Sequence, residues 1–224
     1  MPKKAASQEI DTKGQITPPQ FGIATFVIEG DADYVSNCFP EEARQRMADK
    51  QRAGTQAAKG KKREPKDFDA CYNGSMHKFP DGSPGIPATC FRKAMVSACR
   101  LVGFKMTIAK LALFIEADGL DKNDGTPLIR FLSGEPRRVD SYVVNETGVA
   151  DIRPRAHFAP GWLAQVRVKY DSERFTETDI HNLMLRVGVQ VGIGAGRPDS
   201  KQSTGMGWGT FKIVSKEETR QTVA

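Results

Sequence analysis

VGIGAGRPDSKQSTGMGWGTFKIV, residues 191–214, is the stretch on which the reading of the fold turns. Gly192, Gly194, Gly196, Gly205, Gly207 and Gly209 fall in two alternating groups within it. Glycine adopts left-handed backbone and lets the main chain approach a ligand without an intervening Cβ. Arg197, Lys201 and Trp208 are interleaved with the glycines. The segment could therefore offer amide N–H groups and cations to phosphates, and an indole to a base. A structural role stands beside this one, a tight glycine turn before an edge strand. Two better-known phosphate loops are excluded. GxxxxGK[ST] does not occur, and GxGxxG needs a strand before it and a helix after it, the reverse of the order here.

Working outward, Thr176 is placed to cap a helix over about 177–187, with Ile180, Leu183, Met184 and Val187 on one side. Upstream, Pro87 and Gly103 bracket a helix of about 15 residues. Its apolar positions Phe91, Met95, Ala98 and Val102 recur at the helical period, and Arg92 and Lys93 lie off that stripe. Residues 21–29, β-branched and aromatic, read as a strand, as do 105–117, 128–132 and 139–144. Residues 152–158 and 162–170, around Pro160-Gly161, are expected to form a hairpin, its second arm carrying Arg167 and Lys169 on an outer face. Residue 210 onward reads as a last short strand. Two helices amid six or more strands predict an α+β fold, helices on one face of an antiparallel sheet. The domain is expected to span 20–215 between polar tails at 1–19 and 216–224.

The chain has 224 residues, 33 Lys+Arg against 27 Asp+Glu, and a net charge of +6. With 39% hydrophobic residues it can bury a real core. No window approaches the roughly 18 apolar residues of a membrane span, and residues 1–7 lack the apolar centre of a secretory signal. Cys38, Cys71, Cys90 and Cys99 are too scattered for a disulfide framework. A reducing, cytoplasmic setting without membrane is expected. The charge is unevenly spread: residues 43–66 hold nine bases and two acids, +7 against +6 for the whole chain. Arg44, Arg46, Arg52, Lys59, Lys61, Lys62 and Arg63 belong to this window, and Met47 is its only large apolar residue. Such a segment has little to bury, so it is expected to be flexible or at most a solvated helix. It is either a solvated surface loop or a basic finger that closes over a polyanion. The whole insertion is expected at about 40–85.

The glycine loop resembles the C-terminal G-rich loop of the repeat-associated mysterious protein (RAMP) superfamily, the RNA-binding subunits of CRISPR effector complexes. The helix entry IPATCFRKA, residues 86–94, is similar to that family's IPGSSLKGALR. The likeness covers roughly 20–40 and 70–215. Ala88, Cys90 and Lys93 depart from the family's small residues and glycines at the helix entry, and the spacer 198–204 is longer. The resemblance implies a modified ferredoxin-like (RRM-like) βαββαβ domain with a thumb-like insertion. It implies copies stacked head to tail on a single-stranded guide RNA, beside other effector-complex subunits. By position, Arg92 and Lys93 would contact phosphates and the glycines with Arg197 would form the loop. No aromatic RNP signature supports stacking of bases on the sheet.

Two further functions stay open. A RAMP-like protein of a phage or mobile element could coat single-stranded DNA or interfere with a host CRISPR complex. A metal-dependent RNase could use a loop aspartate, for which Asp69, Asp81, Asp31 and Asp33 are candidates, each reading first as a turn or cap carboxylate. His77 with Cys71 and Cys38 suggests zinc, but no CxxC or HxxxH spacing appears, so no metal or other cofactor is expected. His157 and His181 have no partner pattern. The expectation is a binding protein, not an enzyme.

Overall fold

A computed structural model describes residues 18–54, 65–144, 148, 150–200 and 205–214. Strand β1 (Phe21–Gly30) buries Ala24, Phe26 and Ile28 and leaves Phe21 and Ile23 exposed, the two-residue alternation of a strand covered on one face. It lies one strand in from the edge of the main sheet. On one side it pairs antiparallel with β10 (Leu163–Asp171) over nine residue pairs, and on the other with β11 (Phe211–Val214). The far edge of β10 takes β5 (Leu113–Glu116), again antiparallel. The order β11-β1-β10-β5 is therefore antiparallel throughout. The first residues of β10 also pair with β7 (Pro127–Ser133), which continues the sheet through β4 (Pro84–Pro87) to β3 (His77–Lys78), while β6 (Gly119–Leu120) pairs with β7.

Helices α3 (Ala88–Ala98) and α5 (Glu177–Arg186) contact each other and cover the buried face of this sheet. Phe91 and Met95 of α3, with Ile180 and Met184 of α5, pack over Ala24, Phe26, Val166 and Val168. The apolar period of α3 holds at Phe91, Met95 and Ala98 but not at Val102, which is exposed because the helix tightens into a 3-10 turn, Cys99–Val102, that ends at left-handed Gly103. Thr176 caps α5 in a reciprocal box with Asp179.

A second, three-stranded sheet holds β2 (Tyr34–Val35), β9 (Ala150–Phe158) and β8 (Pro136–Val144), with α2 (Phe68–Gly74) packed on β9. Tyr34, Phe131, Phe158 and Trp162 knit the two sheets together. The Phe131 and Phe158 rings stack with centroids 4.2 Å apart, and Tyr34 touches the other three.

Three expectations need correction. Residues 105–117 are not one strand: α4 (Met106–Ala112) precedes β5. Ala109 and Ala112, three apart, are buried, while Leu111 between them is 77% exposed, which only a helix allows. Next, β9 and β10 do not form a hairpin. β9 pairs with β8 and β10 with β1, so the Pro160-Gly161 turn passes the chain from one sheet to the other. Burial of Ala156, His157 and Phe158 in a row marks β9 as covered on both faces there, which the alternation did not reveal. Finally, the insertion is not uniformly loop. Its start, α1 (Glu41–Ala53), is a solvated helix, one of the expected alternatives, whereas its second half folds as α2, β3 and β4, burying Met76, Phe79 and Ile86.

Phe91→Ala should lower stability by about 3–5 kcal/mol, and Leu111→Ala should cost under about 0.5 kcal/mol, by urea unfolding followed by circular dichroism. Equal losses would contradict the helical placement of Leu111.

Candidate nucleic-acid interface

Lys93 and Ser97 on the polar side of α3, with Arg100 in the 3-10 turn that follows, fall at positions i, i+4 and i+7, one stripe opposite the buried one. Across from this stripe lies the glycine loop, and between them opens a groove of about 990 Å³. Val191, Ile193 and Ala94 contribute apolar surface, Arg197 and Asp199 come from the loop, and Lys110 and Leu111 of α4 close a third side. Five bases and one acid line it. The acid is already engaged: Asp199 accepts from the Ser97 hydroxyl and pairs with Arg100 at 2.8 Å. The Ser97 hydrogen bond, reinforced by Arg100, holds its carboxyl below the usual range. This clamp ties loop to helix. Burial pushes up the thiol of Cys90, on the helix beside the loop.

The loop's shape explains its glycines. Gly209 has φ +71°, and a Cβ there would lie 1.8 Å from the Ile193 carbonyl oxygen, with which the loop closes through Ile193 N–H to Gly209 O at 3.0 Å. Gly196, also left-handed, lies on the Trp208 ring, where a Cβ would come within 2.3 Å of Cε3. The loop is also bonded to β2: Ala195 N–H reaches Val35 O at 3.0 Å and Gly209 N–H reaches Asp33 O at 2.8 Å. Gly192 donates inward to Val187 O at 2.7 Å. These amides serve the loop's own closure.

The expected residues thus divide. Arg92, Lys93, Gly194 and Arg197 come together at the groove. Among them Lys93 is exposed. Arg92 turns back to the Leu113 carbonyl at 2.9 Å and to the Lys110 carbonyl, with its guanidinium over the Phe114 ring, and so braces the groove wall. Gly192, Gly196 and Gly209 shape the loop from within, and Trp208 packs edge-on to His157 at 4.9 Å. Gly205 and Gly207, both at φ +72°, have open space where a Cβ would sit. Arg44, Arg46 and Arg52 lie on α1. Arg44 pairs with Asp124 at 2.7 Å, Arg52 pairs with Asp49, and Lys66 pairs with Asp151 at 2.9 Å. No described residue of the arm lines the groove. Lys59, Lys61, Lys62, Arg63 and Lys201 lie outside the described residues.

The candidate carboxylates sit elsewhere. Asp81 accepts from the Ser83 hydroxyl and amide and pairs with Arg130, which brings its pKa to about 2. Asp69 pairs with Arg138 at 2.6 Å, and Asp33 with Arg137 and His157. None of the three lines the groove. Sequence reading missed Ser97, Arg100, Lys110 and Asp199. The first two were signalled by their spacing from Lys93, whereas Lys110 was hidden by reading α4 as strand. No protein-family model matches the chain, and no curated protein matches it.

Two outcomes follow from the loop's construction. Gly209→Ala should cost more than about 3 kcal/mol through strained backbone and the clash, against about 1–2 kcal/mol for Gly205→Ala, in thermal or urea melts. Because the Asp199 pKa is depressed by folding, its clamp stabilises above about pH 4 and is lost as pH falls through the folded value. Asp199→Asn should thus be less stable than the native chain by about 0.5–1 kcal/mol at pH 7, the gap closing as pH falls through the folded value.

Proposed function

We propose that the groove between α3 and the glycine loop holds the sugar-phosphate backbone of a single strand of RNA, gripped without sequence readout. The observation that carries this reading is the meeting of Lys93, Lys110 and Arg197 around one groove whose single acid, Asp199, is already paired with Arg100. Cations around an open, partly apolar channel suit a flexible polyanion better than a small neutral ligand. On this reading the protein is a RAMP-like backbone subunit of a CRISPR-type ribonucleoprotein. Copies would stack along a guide RNA beside other effector subunits, in the cytoplasm, with binding rather than catalysis as the task. The central strand order β11-β1-β10-β5 supports the ferredoxin-like part of the reading. Taking α3 between β1 and β5, and α5 between β10 and β11, it is the βαββαβ arrangement elaborated twice. One elaboration lies between β1 and α3 and includes the basic arm. The other lies between β5 and β10 and includes the long β8–β9 hairpin.

Three cations engaging phosphates should give a log–log salt slope near −2 for a single strand. Fluorescence anisotropy with a labelled 30-nucleotide RNA and the matching DNA measures it. Lys93→Ala with Arg197→Ala should weaken RNA binding at least tenfold at about 50 mM salt and bring the slope to about −0.7. Unchanged affinity in that double variant would overturn the reading. Equal or tighter binding of the DNA would assign the groove to single-stranded DNA instead.

A further inference from the structure

Cys38, His77 and Asp121 are distant in sequence and come from three segments: the exit of β2, the start of β3 and the turn between β6 and β7. The fold brings their ligand atoms within 4.8 Å of one another. Backbone bonds hold the three segments in place. Cys38 N–H donates to Ser75 O at 2.8 Å, Lys122 N–H to Lys78 O at 3.0 Å, and Asp121 N–H to Thr126 O at 2.8 Å. Asp121 is the one buried carboxylate residue among those described, its side chain wholly covered. It accepts from Asn123 N–H at 2.8 Å and Lys78 N–H at 3.2 Å, and it faces His77 Nδ1 at 3.0 Å. A buried carboxylate is costly unless a positive charge meets it, and a bound cation would supply that charge.

We propose that Cys38, His77 and Asp121 bind a divalent transition metal, zinc by ligand type. A thiolate, an imidazole nitrogen and a carboxylate oxygen form a mixed donor set that suits Zn²⁺ and does not suit Mg²⁺ or Ca²⁺. Ligand atoms around tetrahedral zinc stand roughly 3.3–3.8 Å apart, given bonds of about 2.0–2.3 Å. The three atoms, within 4.8 Å of one another, are about 1 Å from that spacing at the widest. A water completes the coordination. The Cys38 thiol proton leaves to solvent when the thiolate binds, and the metal's charge meets Asp121. Such a metal has a structural consequence, because α1 begins at Glu41, just after Cys38. It would staple the root of the basic arm to β3 and to the β6–β7 turn, where Asp124 already holds Arg44. The proposal does not depend on what the groove binds.

The test uses the full chain, loaded with Zn²⁺ and passed over a desalting column, with metal measured by mass spectrometry. One equivalent should be retained by the native protein and by Cys71→Ser, and lost in Cys38→Ser and Asp121→Asn. Co²⁺ in place of Zn²⁺ should give a thiolate-to-metal charge-transfer band, a readout of Cys38 in the native chain that needs no variant to fold. No retained zinc and no band in the native protein would overturn the proposal. So would retention by a folded Cys38→Ser equal to that of the native chain.

Discussion

The contact on which this molecule's candidate site depends is a main-chain one, the approach of Gly209 to the carbonyl of Ile193. It is possible only because position 209 has no Cβ and takes a left-handed backbone. Through it the two glycine groups meet, the loop closes on itself, and its amides fasten to β2. The loop then stands at a fixed distance from α3, and the Ser97–Asp199–Arg100 clamp sets the width of the groove between them. Loosening the backbone contact would free the loop that carries Arg197 and leave the cations scattered.

The same contact reassigns the glycines. Read from sequence they are a cradle for phosphate, with amides turned to a ligand. In the structure Gly192 and Gly209 give their amides to the protein, and Gly196 makes room for Trp208. The charge that faces the groove comes instead from side chains around it. A phosphate there would be met chiefly by cations, which makes affinity steeply dependent on salt and nearly blind to base identity.

Local pattern made much of this legible. The helical period of Phe91 and Met95, the Thr176 cap and the alternation in β1 report on contacts within a few residues, and they place α3, α5 and β1. What escaped depends on distant partners. Whether β9 pairs with β8 or with β10 is decided by registers tens of residues apart, and α4 is too short to outweigh the β-like look of its neighbours. Lys110 was lost to the site for that reason. Cys38, His77 and Asp121 share no spacing at all; only the β2 exit, β3 and the β6–β7 turn, folded together, make them neighbours. The basic arm shows the opposite limit, since its charge is plain in the sequence while Arg44 and Lys66 are seated on Asp124 and Asp151 and not at the groove.

The central claim is that one groove, and no other surface, holds the strand. Photo-crosslinking of a 4-thiouridine RNA to the full chain, mapped by peptide mass spectrometry, tests it most directly. Adducts should concentrate in the α3 stripe around Lys93 to Arg100 and in the loop around Arg197. Adducts confined to the exposed sheet face, at Phe21, Ile23 and Phe114, would contradict the account.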